Sequence, residues 1–503
     1  MQMKNVPEII MYLFLLLSVV VAVPAFAAPK VADEDITFWV QDALRHDERI
    51  EAAMITMHTE KGITTLAGTV NNLAARNFAD LEAKKIKGVL GVINQITVTP
   101  AYRSDASIRN AVQRRILNSA VIETKELRVI SREGRITLSG TVASYAEKKE
   151  AELLASEVMG VKEIKNEIIV EWANKRSDQE IKDDVLAALD RNVYLSGLPI
   201  TVVVRDGVVT LSGAVGSQYE KELAHTQVRW VAHVNEVKNE LKVDWWENRG
   251  TRKQPPRPTE EDLQKAVRAE LDQDSRIKAS DITIEVSAGE VKLTGMVPSY
   301  YQRRIAEQDA KDVVGVGWVM NYLFASQEGR EDWAIRNDCE FNLNTDALLE
   351  DYDITVQVKD GIVNLSGIVQ SEYEKFHADD VVARIFGVKG VTNLINVQQD
   401  IRRHDTELEK DIQQRLTWNW ITWKAENDIN VSVKDGIAVL TGDVNTWAER
   451  WEADQVAFHT EGIREVDNRL TVKGHDYPWD EHHYKQPSLP GLDPDFYYYY
   501  YLY

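Results

Sequence analysis

The chain has 503 residues, a net charge of −21 and one cysteine. A protein this acidic repels nucleic acid and anionic lipid as a whole, which excludes nucleic-acid binding and disfavours long-range electrostatic attraction to membranes. Cys339 has no partner for an intramolecular disulfide. We expect it to be buried and inert in an oxidising compartment, the alternative being a cross-linked dimer.

The first 27 residues have the features of a secretory signal peptide. The apolar run from Ile9 to Val23 is shorter than the ~20 residues of a membrane span. Pro24-Ala-Phe-Ala27 follows it and supplies an Ala-x-Ala cleavage site. We therefore expect cleavage after Ala27 and export to the periplasm. An uncleaved anchor is the alternative, since Glu8 and the single early Lys4 are unusual in a signal peptide.

A ten-residue pattern occurs six times; residues 360–369 read Asp-Gly-Ile-Val-Asn-Leu-Ser-Gly-Ile-Val. The first glycines are Gly62, Gly134, Gly207, Gly289, Gly361 and Gly436. The second glycines are Gly68, Gly140, Gly213, Gly295, Gly367 and Gly442, spaced 72 to 82 residues apart. A period of this length predicts an array of small domains.

Each copy predicts a helix, a hairpin, a second helix and a last strand. Apolar residues alternate on both sides of the first glycine, which indicates two strands with one buried face. Three copies have Asp-Gly at the junction, a strong hairpin signal. Leu and Val flank every second glycine and should be buried, as with Leu365 and Val369. We expect the second glycine to let a helix backbone approach the sheet closely.

An asparagine recurs in the last strand of every copy. The six are Asn94, Asn166, Asn239, Asn321, Asn393 and Asn468. The favoured interpretation is a residue that bonds the local backbone, and the alternative is a ligand-binding role.

The predicted domains cover residues 32–100, 103–172, 176–245, 259–327, 329–399 and 404–474, here called repeats one to six. A Pro/Arg-rich linker (246–258) separates repeats three and four, and a low-complexity Tyr-rich tail (475–503) follows repeat six. The fold class is therefore α+β, a tandem array of six small α-β-β-α-β domains.

This element order, with Gly-x-Val-x-Leu-x-Gly-x-Val and the closing Val-x-x-Val-x-Asn-x-Ile-x-Val pattern, resembles the BON domain over about residues 32–474. Two departures are Tyr322-Leu-Phe-Ala325 at the end of repeat four and His233 in place of a glycine in repeat three. The resemblance implies binding to phospholipid or other envelope surfaces, without catalysis and without a cofactor.

Repeat six differs from the others in its tryptophans. The position of Trp451 is occupied elsewhere by Asn77, Lys149, Glu222, Arg304 and Phe376. Because three copies carry charge there, we expect this position to face solvent, with Trp447 on the same helix face. The candidate surface-binding residues are Trp447, Trp451, Trp418, Trp420, Trp423 and Phe376. The alternative is packing against repeat five or the tail.

The linker and the tail supply two weaker candidates. Four linker cations are candidate contacts for phosphate head groups, or simply solubilise the linker: Arg249, Arg252, Lys253 and Arg257. His475, His482 and His483 in the tail match no standard metal site, so we predict no metal. The end of the tail, Tyr497 to Tyr503, is nearly all tyrosine and could lie at a membrane interface, augment a sheet edge or be disordered.

The sequence contains no phosphate-binding loop, no Gly-x-Ser-x-Gly and no His-Glu-x-x-His motif. We therefore predict a non-enzymatic protein. Its partner is either the envelope membrane phospholipid, with a role in envelope integrity or osmotic-stress tolerance, or exported proteins served by a chaperone-like array. The oligomeric state is left open.

Overall fold

The computed structural model describes residues 31–50, 52–123, 126–172, 174–244, 258–326, 330–398, 403–423 and 428–473. The predicted signal peptide, all of the linker except Pro258, and the Tyr-rich tail lie outside these described residues. Within them, every repeat has the predicted order of helix, hairpin, helix and last strand, so the α+β fold class is confirmed.

The elements of the first three repeats follow one scheme. Repeat one contains α1 (Asp33–Arg45), β1 (Ile55–Glu60), β2 (Ile63–Val70), α2 (Leu73–Lys85) and β3 (Gly91–Val98). Repeat two contains α3 (Asp105–Leu117), β4 (Arg128–Arg132), β5 (Arg135–Val142), α4 (Tyr145–Ser156) and β6 (Glu163–Val170). Repeat three contains α5 (Asp178–Arg191), β7 (Ile200–Arg205), β8 (Val208–Val215), α6 (Gln218–Trp230) and a last strand divided into β9 (Glu236–Asn239) and β10 (Lys242–Val243).

The second three repeats use the same scheme. Repeat four contains α7 (Glu260–Gln273), β11 (Ile282–Ser287), β12 (Glu290–Val297), α8 (Tyr300–Lys311) and β13 (Trp318–Ala325). Repeat five contains α9 (Asp332–Asn344), β14 (Thr355–Lys359), β15 (Ile362–Val369), α10 (Glu372–Ala383) and β16 (Gly390–Val397). Repeat six contains α11 (Asp405–Trp418), β17 (Ile429–Lys434), β18 (Ile437–Val444), α12 (Trp447–Phe458) and β19 (Glu465–Val472). In every sheet the second hairpin strand is central, antiparallel to the first and parallel to the last.

The hairpin turn is anchored to the first helix. In repeat five Asp360 and Gly361 have φ of 53° and 80°, as a two-residue type I′ turn requires. Their N–H groups donate to the Asp332 carboxylate at 2.8 and 2.9 Å. The first residue of the first helix accepts both N–H groups of the turn in four other repeats: Asp33, Asp105, Asp178 and Asp405. In repeat four Glu260 accepts from the Ala288 N–H. This contact was not predicted from the sequence.

The second glycine of each pattern has a different role from the one expected. Gly295 has φ of +120°, and a Cβ on it would lie 1.9 Å from the carbonyl oxygen of Asp281, which directly precedes β11. The close approach is therefore made by the segment that enters the hairpin, and the predicted approach by a helix is wrong. The flanking Leu293 and Val297 are buried, as predicted.

The recurring asparagine joins the last strand to the second helix. In repeat five the Asn393 Nδ2 donates to the Lys375 carbonyl at 2.7 Å, and its Oδ1 accepts from the Ile395 N–H at 3.2 Å. Both bonds recur in all six repeats. The bond to the Ile395 N–H is the local backbone role favoured from the sequence, whereas the bond to the Lys375 carbonyl of the second helix was not predicted. The bond to Ile395 also satisfies a polar group at the edge of the sheet, where unpaired groups favour association with another strand.

The six repeats associate in three pairs: one with six, two with five, and three with four. In each pair the segment after the first helix of one repeat forms a β-bridge with the segment after the second helix of its partner, and the reverse bridge also forms. The bridges are Asp47–Thr460, Ile86–Asn419, Ser119–Ile385, Val158–Asp346, Asn192–Val313 and Val231–Asp274. A two-fold axis relating two repeats produces reciprocal contacts of this kind, so each pair has local pseudo-two-fold symmetry.

Further contacts arrange the repeats in two groups, one to three and four to six. Gln218 of repeat three donates to the Leu90 carbonyl of repeat one. The Tyr300 N–H of repeat four likewise donates to the Val388 carbonyl of repeat five at 3.3 Å. In both cases the start of a second helix meets the segment before a neighbour's last strand. The second helices consequently lie inside the assembly, and the described residues of the six repeats form one compact unit.

Candidate functional site

The tryptophans of α11 and the residues after it lie in contacts between repeats. Trp418 is 8% exposed and stacks on Trp39 of repeat one, with ring centroids 6.2 Å apart. Trp420 is also 8% exposed and lies against Gly216 of repeat three. Trp423 is half-buried, with the Lys87 Nζ 5.7 Å from its ring centroid. These side chains join repeat six to repeats one and three.

The second-helix aromatics also face neighbouring repeats. Trp451 is half-buried against the core of repeat three, and the Lys311 Nζ of repeat four lies 5.9 Å from its ring centroid. Phe376 is 7% exposed and packs on Phe458 of repeat six at 5.3 Å. The predicted exposure of these residues is therefore wrong. The side chain of Trp447 lies outside the described part of the structure.

The error has a physical cause. The Trp451 position carries charge in other repeats because it lies in a polar contact between domains, and not because it faces water. The Arg304 guanidinium at this position is 8% exposed and lies 3.2 Å from the Asp379 carboxylate and 3.3 Å from Asp380 of repeat five. A charged residue at a repeated position thus indicates that the side chain is exposed to solvent only when the domains do not pack on each other.

Buried ions fill the contact between repeats two and five. The Arg115 guanidinium lies 3.2 Å from both the Glu157 and Asp346 carboxylates, and the His377 Nε2 lies 2.8 Å from Asp346. Burial lowers the pKa of His377 by itself, but Asp346 more than compensates and the pKa is raised overall. Burial by itself raises the pKa of Asp346, but its cationic neighbours His377 and Arg115 hold that pKa below the usual value.

The contact between repeats one and six uses a different set of charges. The Arg49 guanidinium lies 2.6 Å from Asp47 and 2.7 Å from Glu82, and Lys85 bridges Glu82 and Glu452 at 3.4 and 3.5 Å. Burial acts to raise the pKa of Glu82, but Lys85 and Arg49 lower it to about 2. In the contact between repeats three and four, the Arg191 guanidinium of repeat three lies 2.7 Å from the Glu270 carboxylate of repeat four.

A cavity of about 530 Å³ lies between repeats three to six. Trp318, Phe376, Trp451 and Phe458 contribute aromatic walls. Lys311, Asp312, Arg450 and Asp454 line the same space. Both signs of charge are represented, so the lining does not select an anion or a cation. The cavity exists only because four repeats meet, and no single repeat contains it.

A family model for the BON domain matches residues 32–100, 104–171, 177–244, 259–323, 332–399 and 404–474. The chain belongs to the BON family. It is 30% identical over 143 residues to the Osmotically-inducible protein Y of Escherichia coli K12, covering 27% of this chain and 71% of the relative. It is 26% identical over 147 residues to the Outer membrane lipoprotein DolP of Haemophilus influenzae, covering 28% of this chain and 76% of that protein.

Among solved structures, the chain is similar to CdsD, a structural protein of the type III secretion system of Chlamydia trachomatis. The identity is 17%, the TM-score is 0.12, and the match covers 38% of this chain and 86% of the other. A TM-score this low does not establish a shared arrangement of domains.

The described BON repeats contain no group of three or more His, Cys, Asp or Glu side chains placed to hold a metal ion. Two sets of candidate residues lie outside the described residues: the tail histidines His475, His482 and His483, and the linker cations Arg249, Arg252, Lys253 and Arg257.

No helix in the described ranges is both long and apolar enough to span a bilayer. Cys339 is fully buried in the core of repeat five, and burial raises the pKa of its thiol.

The surfaces that pair the BON repeats were not predicted from the sequence. One signal was available: Asp47, Ser119, Asn192, Asp274, Asp346 and Asn419 are all polar and follow the first helix. A polar residue after a helix is also a common helix terminus, so the pattern alone does not indicate association. The pairing becomes evident only when both bridging segments are seen together.

Proposed function

We propose that this multi-BON protein is exported, non-catalytic and acts at the cell envelope, where it binds the phospholipid membrane surface and supports envelope integrity or osmotic-stress tolerance. The observation that carries the proposal is the BON match in all six repeats. The names of its relatives support it, since one is osmotically inducible and another is an outer membrane lipoprotein.

The packing of the repeats limits how such binding would occur. The second helices lie between domains, as do Trp418, Trp420, Trp423 and Trp451, so these residues would reach a membrane only after the repeats separate. The outer faces of the sheets and the first helices are the available surfaces of the described residues. The linker cations Arg249, Arg252, Lys253 and Arg257 remain candidates for phosphate contact.

A second function is favoured by the charge of the chain. A net charge of −21 opposes approach to an anionic membrane. A protein-interaction or chaperone-like role toward exported proteins is therefore the alternative, because neutral or cationic polypeptides meet no such repulsion.

Vesicle flotation tests the membrane proposal. The purified mature chain would be mixed with phosphatidylcholine vesicles and with vesicles that also contain phosphatidylglycerol. We expect the protein to float with at least one of them. Recovery only in the vesicle-free fractions would contradict membrane binding. Amino-terminal sequencing of the exported protein tests export separately, with Ala28 expected as the first residue.

A further inference from the structure

The outer sheet face of repeat four has an apolar row along its last strand, where a typical solvated face is polar. Trp318, Met320, Tyr322 and Phe324 alternate along β13 on the side opposite the helices, and Met296 of β12 pairs with Phe324. Phe324 is 63% exposed and Met296 is 53% exposed. Trp318 stands at one end of this row, where it also lines the cavity between repeats.

The fold does not require apolar residues at these positions. In repeat three the four matching residues are Glu236, Lys238, Glu240 and Lys242. In repeat six they are Glu465, Asp467, Arg469 and Thr471. Among the six repeats, only repeat four has aromatic residues there. An apolar surface that the fold does not need indicates an interaction site.

The edge of this sheet is unsuited to accepting another strand. The Arg303 guanidinium donates to the carbonyl oxygens of Leu323 at 3.0 Å and Asn321 at 2.8 Å. The Leu323 N–H donates to the Asn321 side chain at 3.1 Å. Because these polar groups of β13 already have partners, a peptide adding as a fourth strand would have to displace them. A partner therefore meets the outer face and not the edge.

The charges on the face indicate a partner without strong negative charge. Lys292 forms an ion pair with Glu285 at 2.9 Å, and Glu290 lies opposite Trp318 in the strand register. The sheet face thus has no surplus of positive charge, and the whole chain is strongly acidic. An anionic membrane or a second copy of this acidic chain would meet repulsion, whereas a zwitterionic surface would not.

We propose that the outer sheet face of repeat four is the membrane-docking surface of this protein and that it binds a neutral, zwitterionic phospholipid surface. The inference rests on the proposed membrane function. Tyrosine and tryptophan favour the head-group region because their rings are apolar with one polar group, and phenylalanine and methionine insert just below it. Binding of this kind depends on buried apolar area and is insensitive to salt.

The test compares a double variant with a matched control. Met296→Asp/Phe324→Asp places carboxylates at two exposed positions of the face. Ile169→Asp is the control, because Ile169 occupies the Phe324 position in repeat two, is 59% exposed, and has the charged Lys165 and Glu167 on the same strand face. Flotation of the full mature chain would use phosphatidylcholine vesicles at low and high salt, with circular dichroism and thermal unfolding as checks of folding.

We expect the parent and Ile169→Asp to bind equally at both salt concentrations, and the double variant to bind at least about tenfold more weakly. If Met296→Asp/Phe324→Asp unfolds, Met296→Ser/Phe324→Ser gives the same comparison with a smaller expected loss. Equal binding by the parent and a folded double variant would overturn the inference.

The remaining outcomes separate this inference from the proposed function. A parent that binds only vesicles with phosphatidylglycerol, and releases them in high salt, would mean that cationic segments make the contact; membrane binding would stand and this site would be wrong. A parent that binds neither vesicle would refute both. A parent that is dimeric by light scattering, with a monomeric double variant, would make the face a self-association surface and also overturn the inference.

Discussion

The Arg115 guanidinium in repeat two lies 3.2 Å from the Asp346 carboxylate in repeat five, and both side chains are fully buried. The same guanidinium donates to the Asn342 carbonyl at 2.6 Å. Two domains that are distant in the sequence thus share one desolvated ion pair. Its energetic importance follows from the cost of leaving either charge buried alone.

Arg115→Ala should destabilise the protein by about 3–5 kcal/mol, because it leaves Asp346 and Glu157 without this buried cation. The measurement is the free energy of unfolding in urea. Arg109→Ala on the exposed side of the same helix is the control and should change stability by less than about 0.5 kcal/mol. Equal effects of the two variants would show that the buried pair is not what holds these repeats together.

Leu365→Ala should cost about 2–5 kcal/mol, since Leu365 is completely buried in the core of repeat five and its truncation leaves a cavity. Leu394→Ala is the matched control in the same repeat, because Leu394 is 63% exposed. Both would be measured by chemical unfolding. A loss below about 0.5 kcal/mol for Leu365→Ala would contradict the assignment of the buried face.

Asn393→Ala should destabilise repeat five by about 1–3 kcal/mol. The change removes two hydrogen bonds and leaves the Lys375 carbonyl and the Ile395 N–H without these partners. Hydrogen exchange would be followed at Ile395, where faster exchange is expected. Exchange at the matching Ile168 of repeat two, still bonded to Asn166, serves as the internal control. Unchanged exchange at Ile395 would refute a role for the side chain in holding the strand.

Cleavage between repeats three and four should leave the two halves associated. Each of the three pairs joins one repeat from residues 31–244 to one from residues 258–473, so the bridges and buried ions do not depend on the linker. A protease site would be inserted at 246–257 and the cleaved protein examined by size-exclusion chromatography. Co-elution is expected for the parent, and partial separation for Arg115→Ala. Complete separation of the parent halves would contradict the pairing.

The Glu150 carboxyl should make the folded protein less stable as pH rises from about 4.5 to about 7. Burial raises the pKa of Glu150 to about 7, despite Arg384 at 3.9 Å. A carboxyl with a raised folded-state pKa retains its proton in the folded protein while the unfolded chain has lost it, so rising pH favours unfolding across this window. The effect of one such group is on the order of 3 kcal/mol. The raised pKa values of Glu270, Asp309 and Asp312, also due to burial, act in the same direction.

Glu150→Gln provides the comparison for this pH dependence. Glutamine resembles the protonated carboxyl, so the variant should match the parent near pH 5 and be the more stable protein near pH 8. Thermal unfolding across the pH range would measure both. Parallel pH profiles for the two proteins would show that Glu150 does not titrate in this window.

Local patterns determined the fold of each repeat. Alternating apolar residues around Gly361 predicted the hairpin, and Asn393 was interpreted as a residue that bonds the local backbone. These predictions succeed because the features involved are local. The alternation of a strand, the conformation of a turn and the hydrogen bonds of the asparagine each involve residues that are close in the sequence or lie in one small domain. Family resemblance was equally accessible, since it depends on the same patterns repeated in phase.

Only the tertiary structure decided which faces of the repeats meet. The charge at Arg304 was expected in water, yet it lies in a polar contact with repeat five, and Trp418, Trp420 and Phe376 are buried beside other repeats. A side chain satisfied by an ion pair in another repeat cannot be distinguished in sequence from one satisfied by water. Conversely, Met296 and Phe324 become an exposed surface only once the strand register places them side by side on the outer face.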